Sequence, residues 1–254
     1  MADCFNPFSL NGKTILVTGA SSGIGKAIAI ACAKMGGTVI ATARNEQRLQ
    51  ETISEMPEGG HRFVKADLTN LADIDNLVTS LPKLDGLVQC AGVGLRIPCK
   101  NICKADLEYV FSPNVWAPIL LQSAILSKKK INKAASVVFV ASRAASAPSA
   151  GNAVYSASKG AIISYAKCLA LELAPRLIRV NCICSGMVWT DLIIQDGVEN
   201  DQLEQSQQSY PLKRFGQPED IANLAIYLLS DASSWVTGSC VDISGGGEGL
   251  LTLN

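Results

Sequence analysis

The chain has 254 residues, 22 Lys plus Arg against 22 Asp plus Glu, and is 48% hydrophobic and 17% charged. That length suits a single α/β domain, here taken as 1–254, and the apolar share is enough for a core on both faces of a sheet, which excludes a disordered chain. A net charge of zero gives no field for collecting phosphate backbones or anionic lipid. No run approaches the 18 apolar residues of a spanning helix, and the start, Met-Ala-Asp-Cys-Phe-Asn-Pro, holds an acid and no apolar signal core. The expectation is therefore a cytoplasmic protein with neither nucleic acid nor membrane as partner.

Short β-branched runs alternate with segments of helical periodicity, the pattern of parallel strands joined by helical crossovers. Strands are predicted near 14–18, 38–42, 62–65, 85–89, 136–141, 178–184 and 240–243, several as continuous apolar runs that suit burial on both faces. Helices are predicted near 24–35, 45–55, 71–80, 104–127, 152–173 and 218–230, the last opening on Pro218 with Glu219 and Asp220 in its first turn. The run Lys128-Lys129-Lys130 reads as the end of a solvated helix, its lysines complementing the helix C-terminus. Only about 185–215 lacks a clear period; a segment of that length inside a compact domain reads as a lid over a site. The sole histidine, His61, falls at the start of a predicted strand, which excludes catalysis and metal binding that need several histidines. Nine scattered cysteines with no CxxC pair read as small buried hydrophobes in a reducing compartment, and no metal site is expected.

Directly after the first strand stands Thr18-Gly19-Ala20-Ser21-Ser22-Gly23-Ile24-Gly25, followed by an apolar helical pattern. Glycines there allow a tight turn, a close approach of backbone amides to a pyrophosphate, and a helix start that faces the anion. The expected fold is accordingly a doubly wound Rossmann sheet of about seven parallel strands with helices on both faces, binding a dinucleotide. The second strand ends Ala41-Thr42-Ala43-Arg44, with no acid at its tip to take a ribose 2′-hydroxyl and an arginine that suits a 2′-phosphate. NADP(H) is therefore expected in preference to NAD(H), although Arg44 could merely open the next helix and Glu46 leaves room for NAD. Further on, Tyr155 and Lys159 stand four residues apart, on one helix face; an ammonium held near a phenol favours the phenolate.

Taken together these motifs resemble the short-chain dehydrogenase/reductase family, and the resemblance runs from about Leu10 to Gly247. It is carried by the glycine-rich turn at 18–25, Asp67-Leu68, Ala91-Gly92, Asn114, Ser142 placed 13 residues before Tyr155, the Tyr155 to Lys159 spacing, and the strand Ile178-Arg179-Val180-Asn181. The resemblance implies that Tyr155 exchanges a proton with the substrate oxygen while the nicotinamide exchanges a hydride. Lys159 would hold the nicotinamide ribose, Ser142 would polarise the carbonyl, and Asn114 would place a water that links Lys159 to solvent. Cofactor contacts would come from Gly19, Ser21, Ser22, Gly23, Ile24, Gly25, Arg44, Asp67, Leu68, Ala91, Gly92, Tyr155 and Lys159, and from Gly186, Val188 and Thr190 after the sixth strand. Each has a plainer alternative: Ser142 as a strand-end hydroxyl, Asn114 as part of a helix irregularity, and Asp67 and Thr190 as helix caps.

Three departures from the family pattern stand out: Gln89-Cys90 where two asparagines are usual, Ser185 where proline precedes Gly186, and Ser244 before Gly245-Gly246. The first of them motivates a competing reading, a dinucleotide-binding sensor or scaffold with little turnover. The leading one is an oxidoreductase that reduces a carbonyl to a secondary alcohol, or the reverse, working as a homodimer or homotetramer. Its substrate pocket is expected between Val93 to Pro98, Arg143 to Val154, and a lid bearing Trp189, Leu192, Ile193 and Tyr210, open to 3-oxoacyl thioesters, steroids, sugars or small ketones. An enoyl reductase is disfavoured because those relatives space tyrosine and lysine further apart.

Overall fold

The computed structural model describes residues 6–191 and 200–247. Seven parallel strands form one sheet: β1 (Thr14–Thr18), β2 (Thr38–Ala43), β3 (Arg62–Lys65), β4 (Leu84–Gln89), β5 (Ile131–Val140), β6 (Arg179–Ser185) and β7 (Cys240–Ile243), in the order β3-β2-β1-β4-β5-β6-β7. The chain first winds outward from β1 to β3 and then restarts at β4 on the other side of β1. That reversal creates a crevice at the C-terminal ends of β1 and β4, where doubly wound sheets bind ligands.

The helices are α1 (Gly23–Lys34), α2 (Glu46–Ser54), α3 (Leu71–Ser80), α4 (Lys104–Phe111), α5 (Ala117–Ser127), α6 (Ala153–Leu173), α7 (Asn200–Ser209) and α8 (Pro218–Leu229). Alternation along the central strands feeds two cores. Ile15, Val17, Val39 and Ala41 pack with Ile28 and Cys32 of α1 and with Ile221 and Ala225 of α8. Leu16, Ile40, Leu87 and Val137 face the other way, onto Leu77 of α3, Leu121 of α5 and Ile162 and Ala166 of α6.

Local chemistry sets the element ends. Asn45 Oδ1 accepts the Arg48 N–H at 3.0 Å and Asn70 Oδ1 accepts the Ala72 N–H at 2.8 Å, capping α2 and α3. Pro218 opens α8 in its first turn, and Asp220 returns a carboxylate oxygen to the Gln217 N–H at 2.7 Å. The lysine run does more than end its own helix: Lys130 Nζ donates to the Thr79 and Leu81 carbonyls at 3.1 and 2.6 Å, where α3 ends. His61 Nδ1 accepts the Val39 N–H at 3.1 Å, which lengthens the β2–β3 pairing and leaves the residue outside the cleft.

Three features differ from expectation. β5 begins five residues early, at Ile131, because Asp85 binds both the Thr14 N–H (2.9 Å) and the Asn132 side chain (2.7 Å) across an irregularity in the β4–β5 register. Within 200–215, expected as aperiodic lid, α7 is a full helix; its sequence is nearly all polar, and Leu203 alone among its described side chains anchors it in the interior. The span Lys104–Ser127 is helical throughout but contains a π-turn at Ser112–Trp116. Lys104–Ser127 is also the one stretch among the described residues long and apolar enough to cross a membrane; here Val110, Val115, Leu121 and Ile125 are buried in the protein.

Candidate active site

A cleft of about 880 Å³ opens at the C-terminal ends of the strands. It is lined by Gly19, Ser21, Ser22, Gly23, Ile24, Gly25, Arg44, Asp67, Leu68, Ala91, Gly92, Ser142, Tyr155, Lys159, Gly186, Val188 and Thr190, so every site residue expected from the sequence except Asn114 reaches it. Asn114 is buried behind the wall.

At one end the β1–α1 turn forms a cradle. Gly19 has φ +68°, and a Cβ on Gly25 would sit 2.3 Å from the Gly19 carbonyl oxygen, so only hydrogen fits there. Ser22 precedes α1 without capping it through its side chain. The first amides of α1 have no partner within the helix, and the residues that carry them line the cleft, which is the donor set a pyrophosphate takes. Thr18 Oγ1 holds the opposite wall by accepting the Cys90 and Ala91 N–H groups at 3.0 and 3.1 Å. A dinucleotide fits this cradle.

At the adenosine end, Asp67 Oδ1 accepts both the Thr69 N–H (3.0 Å) and the Thr69 hydroxyl (2.7 Å). Burial pushes against ionisation of Asp67, but these two bonds and the nearby Arg44 guanidinium outweigh it and hold the carboxyl below its ordinary range. The cap of α3 is Asn70, so Asp67 does not cap that helix; its carboxylate holds the turn at Thr69 instead. Glu46 is not among the cleft residues and stands 3.9 Å from Lys65.

At the other end, Tyr155 and Lys159 share a face of α6. Lys159 is buried, donates to the Val140 carbonyl at 2.9 Å, and places its ammonium 5.6 Å from the Tyr155 ring centroid. Asn114 lies in the π-turn and clasps Val93 twice: Oδ1 accepts the Val93 N–H at 2.8 Å and Nδ2 donates to the Val93 carbonyl at 2.9 Å. Its Nδ2 also donates to Ser158 Oγ at 3.1 Å. Pro113 and Pro118 flank it; Pro118 has no N–H to close an ordinary helical turn on the Asn114 carbonyl. The irregularity and the polar role thus coincide at one residue. Ser142 follows β5, where its hydroxyl accepts the Ala144 N–H at 3.1 Å and begins a short 3₁₀ turn.

A family model described as Enoyl-(Acyl carrier protein) reductase matches residues 19–248. The 3-oxoacyl-acyl-carrier-protein reductase FabG of Rickettsia felis is 33% identical over 237 residues, covering 93% of this chain and 97% of that protein. The 7alpha-hydroxysteroid dehydrogenase of Escherichia coli is 33% identical over 245 residues, covering 94% and 95%. Among solved structures, 3-ketoacyl-(acyl-carrier-protein) reductase from Brucella melitensis complexed with NADH superposes with a TM-score of 0.84 at 30% identity, covering 94% of this chain and 99% of that one. The chain belongs to the short-chain dehydrogenase/reductase family.

This short-chain dehydrogenase/reductase is an oxidoreductase acting on CH–OH or carbonyl groups. Its departures from the family pattern are accommodated locally. Gln89 is buried, and its Nε2 donates to the Pro118 carbonyl at 3.0 Å, so an amide still ties the end of β4 to the helix that follows Asn114. Burial pushes the Cys90 thiol up to about 12, only partly opposed by Lys159. At the Ser185-Gly186 turn, the Gly186 N–H donates to the Ile243 carbonyl at 2.9 Å, and a Cβ there would lie 2.9 Å from that of Ser244.

The base of the lid is pinned: Trp189 N–H donates to the Gly216 carbonyl and Gly216 N–H to the Met187 carbonyl, both at 2.9 Å. Tyr210 lines the cleft as expected, and Phe215 lines it too. Trp189 does not; it packs at a tilt against Phe215, 5.3 Å between centroids, in a cluster with Leu203 and Tyr210, and Met187 lines the cleft instead. Leu192 and Ile193 lie outside the described residues. Sequence reasoning missed Tyr109 and Pro113, which reach the cleft from α4 and the π-turn, and Arg48; its place in the first turn of the helix that follows Arg44 was the available signal for the last.

Proposed function

We propose that the protein is an NADP(H)-preferring reductase or dehydrogenase that interconverts a carbonyl and a secondary alcohol, with Tyr155 as general acid and base. The observation that carries this reading is the buried Lys159 ammonium, fixed by the Val140 carbonyl and set 5.6 Å from the Tyr155 ring, at the far end of a cleft that starts at an uncapped glycine turn. A bound nicotinamide supplies or accepts the hydride. Gly19 to Gly25 would receive its pyrophosphate, Asp67 and Leu68 its adenine, and Gly186, Val188 and Thr190 its nicotinamide end. Tyr155 Oη gives a proton to the substrate oxygen in reduction and takes it back in oxidation. Ser142 Oγ donates to the same oxygen and orients it. Lys159 binds the nicotinamide ribose and supports charge on the phenolic oxygen. Asn114, held rigid by Val93, offers its backbone carbonyl for a water that returns protons to Lys159.

The preference for NADP(H) rests on Arg44, which lines the cleft at the end of β2 where no acid stands, while Glu46 lies outside it. The likeness to 3-oxoacyl-thioester and hydroxysteroid enzymes makes those two carbonyl classes the first substrates to try, with sugars and small ketones after them. Exposed Trp116 and Leu120 on the π-turn and α5, and Leu171 on α6, suit contact with a second copy of the chain in a homodimer or homotetramer; elution at the 26.8 kDa monomer mass would contradict it. The cytoplasm is the proposed compartment. The test of function is NADPH- and NADH-coupled turnover across these carbonyl classes. Turnover with at least one class is expected; tight cofactor binding with no turnover in any of them would favour a dinucleotide sensor instead.

A further inference from the structure

The guanidinium of Arg48, on α2, lies 3.4 Å from the carboxylate of Asp191, at the root of the lid. Both residues line the cleft, so this ion pair links α2 to the segment after β6 beside it. The first turn of α2 is held by Asn45, which accepts the Arg48 N–H. Asp191 follows Thr190, whose methyl group would meet a Cβ on Gly23 at 3.0 Å; the lid root therefore rests on the phosphate turn itself. Arg44 lies just before the Asn45 cap of the same helix and lines the same end of the cleft.

We propose that Arg48 is a second, switchable cation for the adenosine ribose: Asp191 holds it while no 2′-phosphate is present, and a 2′-phosphate draws it away from the lid. The pair is about half exposed on both sides, 53% for Arg48 and 56% for Asp191, so its hold is weak and reversible. A phosphate monoester carries between one and two negative charges and matches the guanidinium fork, so it outcompetes a single solvated carboxylate. Binding of NADP(H) then releases Asp191, and the charge at the ribose is coupled to the segment that follows β6; NAD(H) leaves the clasp closed. The inference rests on the NADP(H) reading for its physiological sense, yet its test separates the two.

The unliganded protein is titrated with NADPH, NADH, 2′,5′-ADP and 5′-AMP, following binding by calorimetry. Asp191→Asn removes the competitor and is expected to tighten NADPH and 2′,5′-ADP by about twofold to fivefold, sparing NADH and 5′-AMP. Arg48→Gln is expected to weaken the two ligands that carry a 2′-phosphate, NADPH and 2′,5′-ADP, by roughly tenfold or more, again sparing NADH and 5′-AMP. In the double variant the Asp191→Asn effect should vanish, because both substitutions act through one contact. An Asp191→Asn effect that is equal for NADH and NADPH, or that persists without Arg48, overturns the clasp. Wild-type protein that binds NADH as tightly as NADPH contradicts the cofactor preference alone, and the 2′,5′-ADP series then still decides the clasp. A clear NADPH preference that neither substitution moves overturns the clasp and leaves the preference standing.

Discussion

The Lys159 ammonium donates to the Val140 carbonyl at 2.9 Å, which anchors a buried charge to the end of β5 two residues before Ser142. The same backbone segment thus fixes both the cation beside Tyr155 and the hydroxyl proposed to face the substrate oxygen. Lys159→Met should lower kcat by about a hundredfold to ten-thousandfold, the usual worth of a general acid–base system. The measurement is steady-state turnover on the best substrate found; a kcat within about threefold of wild type would remove Lys159 from the proton pathway.

Asn114 does not line the cleft, and its proposed part depends on the bonds that hold it to Val93 and Ser158. Asn114→Ala deletes two bonds to Val93 and one to Ser158 while leaving the cofactor cradle intact. The expected result is a kcat roughly tenfold lower or worse with the cofactor KM little changed, since one buried amide network is lost. A selective rise in cofactor KM would instead make Asn114 part of the binding wall.

Gly25→Ala tests the cradle. A methyl group 2.3 Å from the Gly19 carbonyl forces the turn to open. Dinucleotide affinity, read by calorimetry, should fall by about tenfold or more, because amide donors aimed at the pyrophosphate lose their alignment. Unchanged affinity would mean that the pyrophosphate lies elsewhere.

Arg44→Ala should weaken NADPH by about tenfold to a hundredfold, the worth of a charge-assisted hydrogen bond, and leave NADH unaffected. A preference that survives the substitution would assign it to another residue.

Asp220 gives a prediction about pH. Its carboxyl is held below the ordinary range, first by the side-chain bond from Arg214 and then by the Gln217 N–H. A depressed carboxyl contributes stability above its unfolded value and loses it as pH falls through the folded value. Asp220→Asn is therefore expected to cost about 1 kcal/mol at neutral pH and lower Tm by roughly 2–4 °C. Thermal melts of wild type and variant should converge on acidification; a gap that persists well below the carboxylate range would mean the loss is one of packing.

The parts of the fold legible in the sequence were those with strong periodicity. β1, β3 and β7 fall where β-branched runs predict them, and the two-face burial of β1 follows from its unbroken apolar run. The helix Asn200–Ser209 was not legible, because one buried leucine among polar residues generates no period; tertiary contact with Tyr210 and Phe215 decides it. Trp189 was misplaced for a related reason: lid position and aromatic character do not say which way a ring turns, and Phe215 claims it. At the site, the family resemblance pointed to Ser142, Tyr155 and Lys159, and all three line the cleft. The reach of Gln89 to Pro118, which compensates for a missing asparagine, depends on a helix brought close by the π-turn, and no motif encodes that distance.

The most direct test is Tyr155→Phe, which removes one oxygen and keeps the ring against Lys159. In single-turnover experiments with saturating cofactor and the best substrate, hydride transfer should slow by about a hundredfold to ten-thousandfold while cofactor affinity stays near that of wild type. Undiminished hydride transfer would contradict the assignment of Tyr155 as the acid and base of this enzyme.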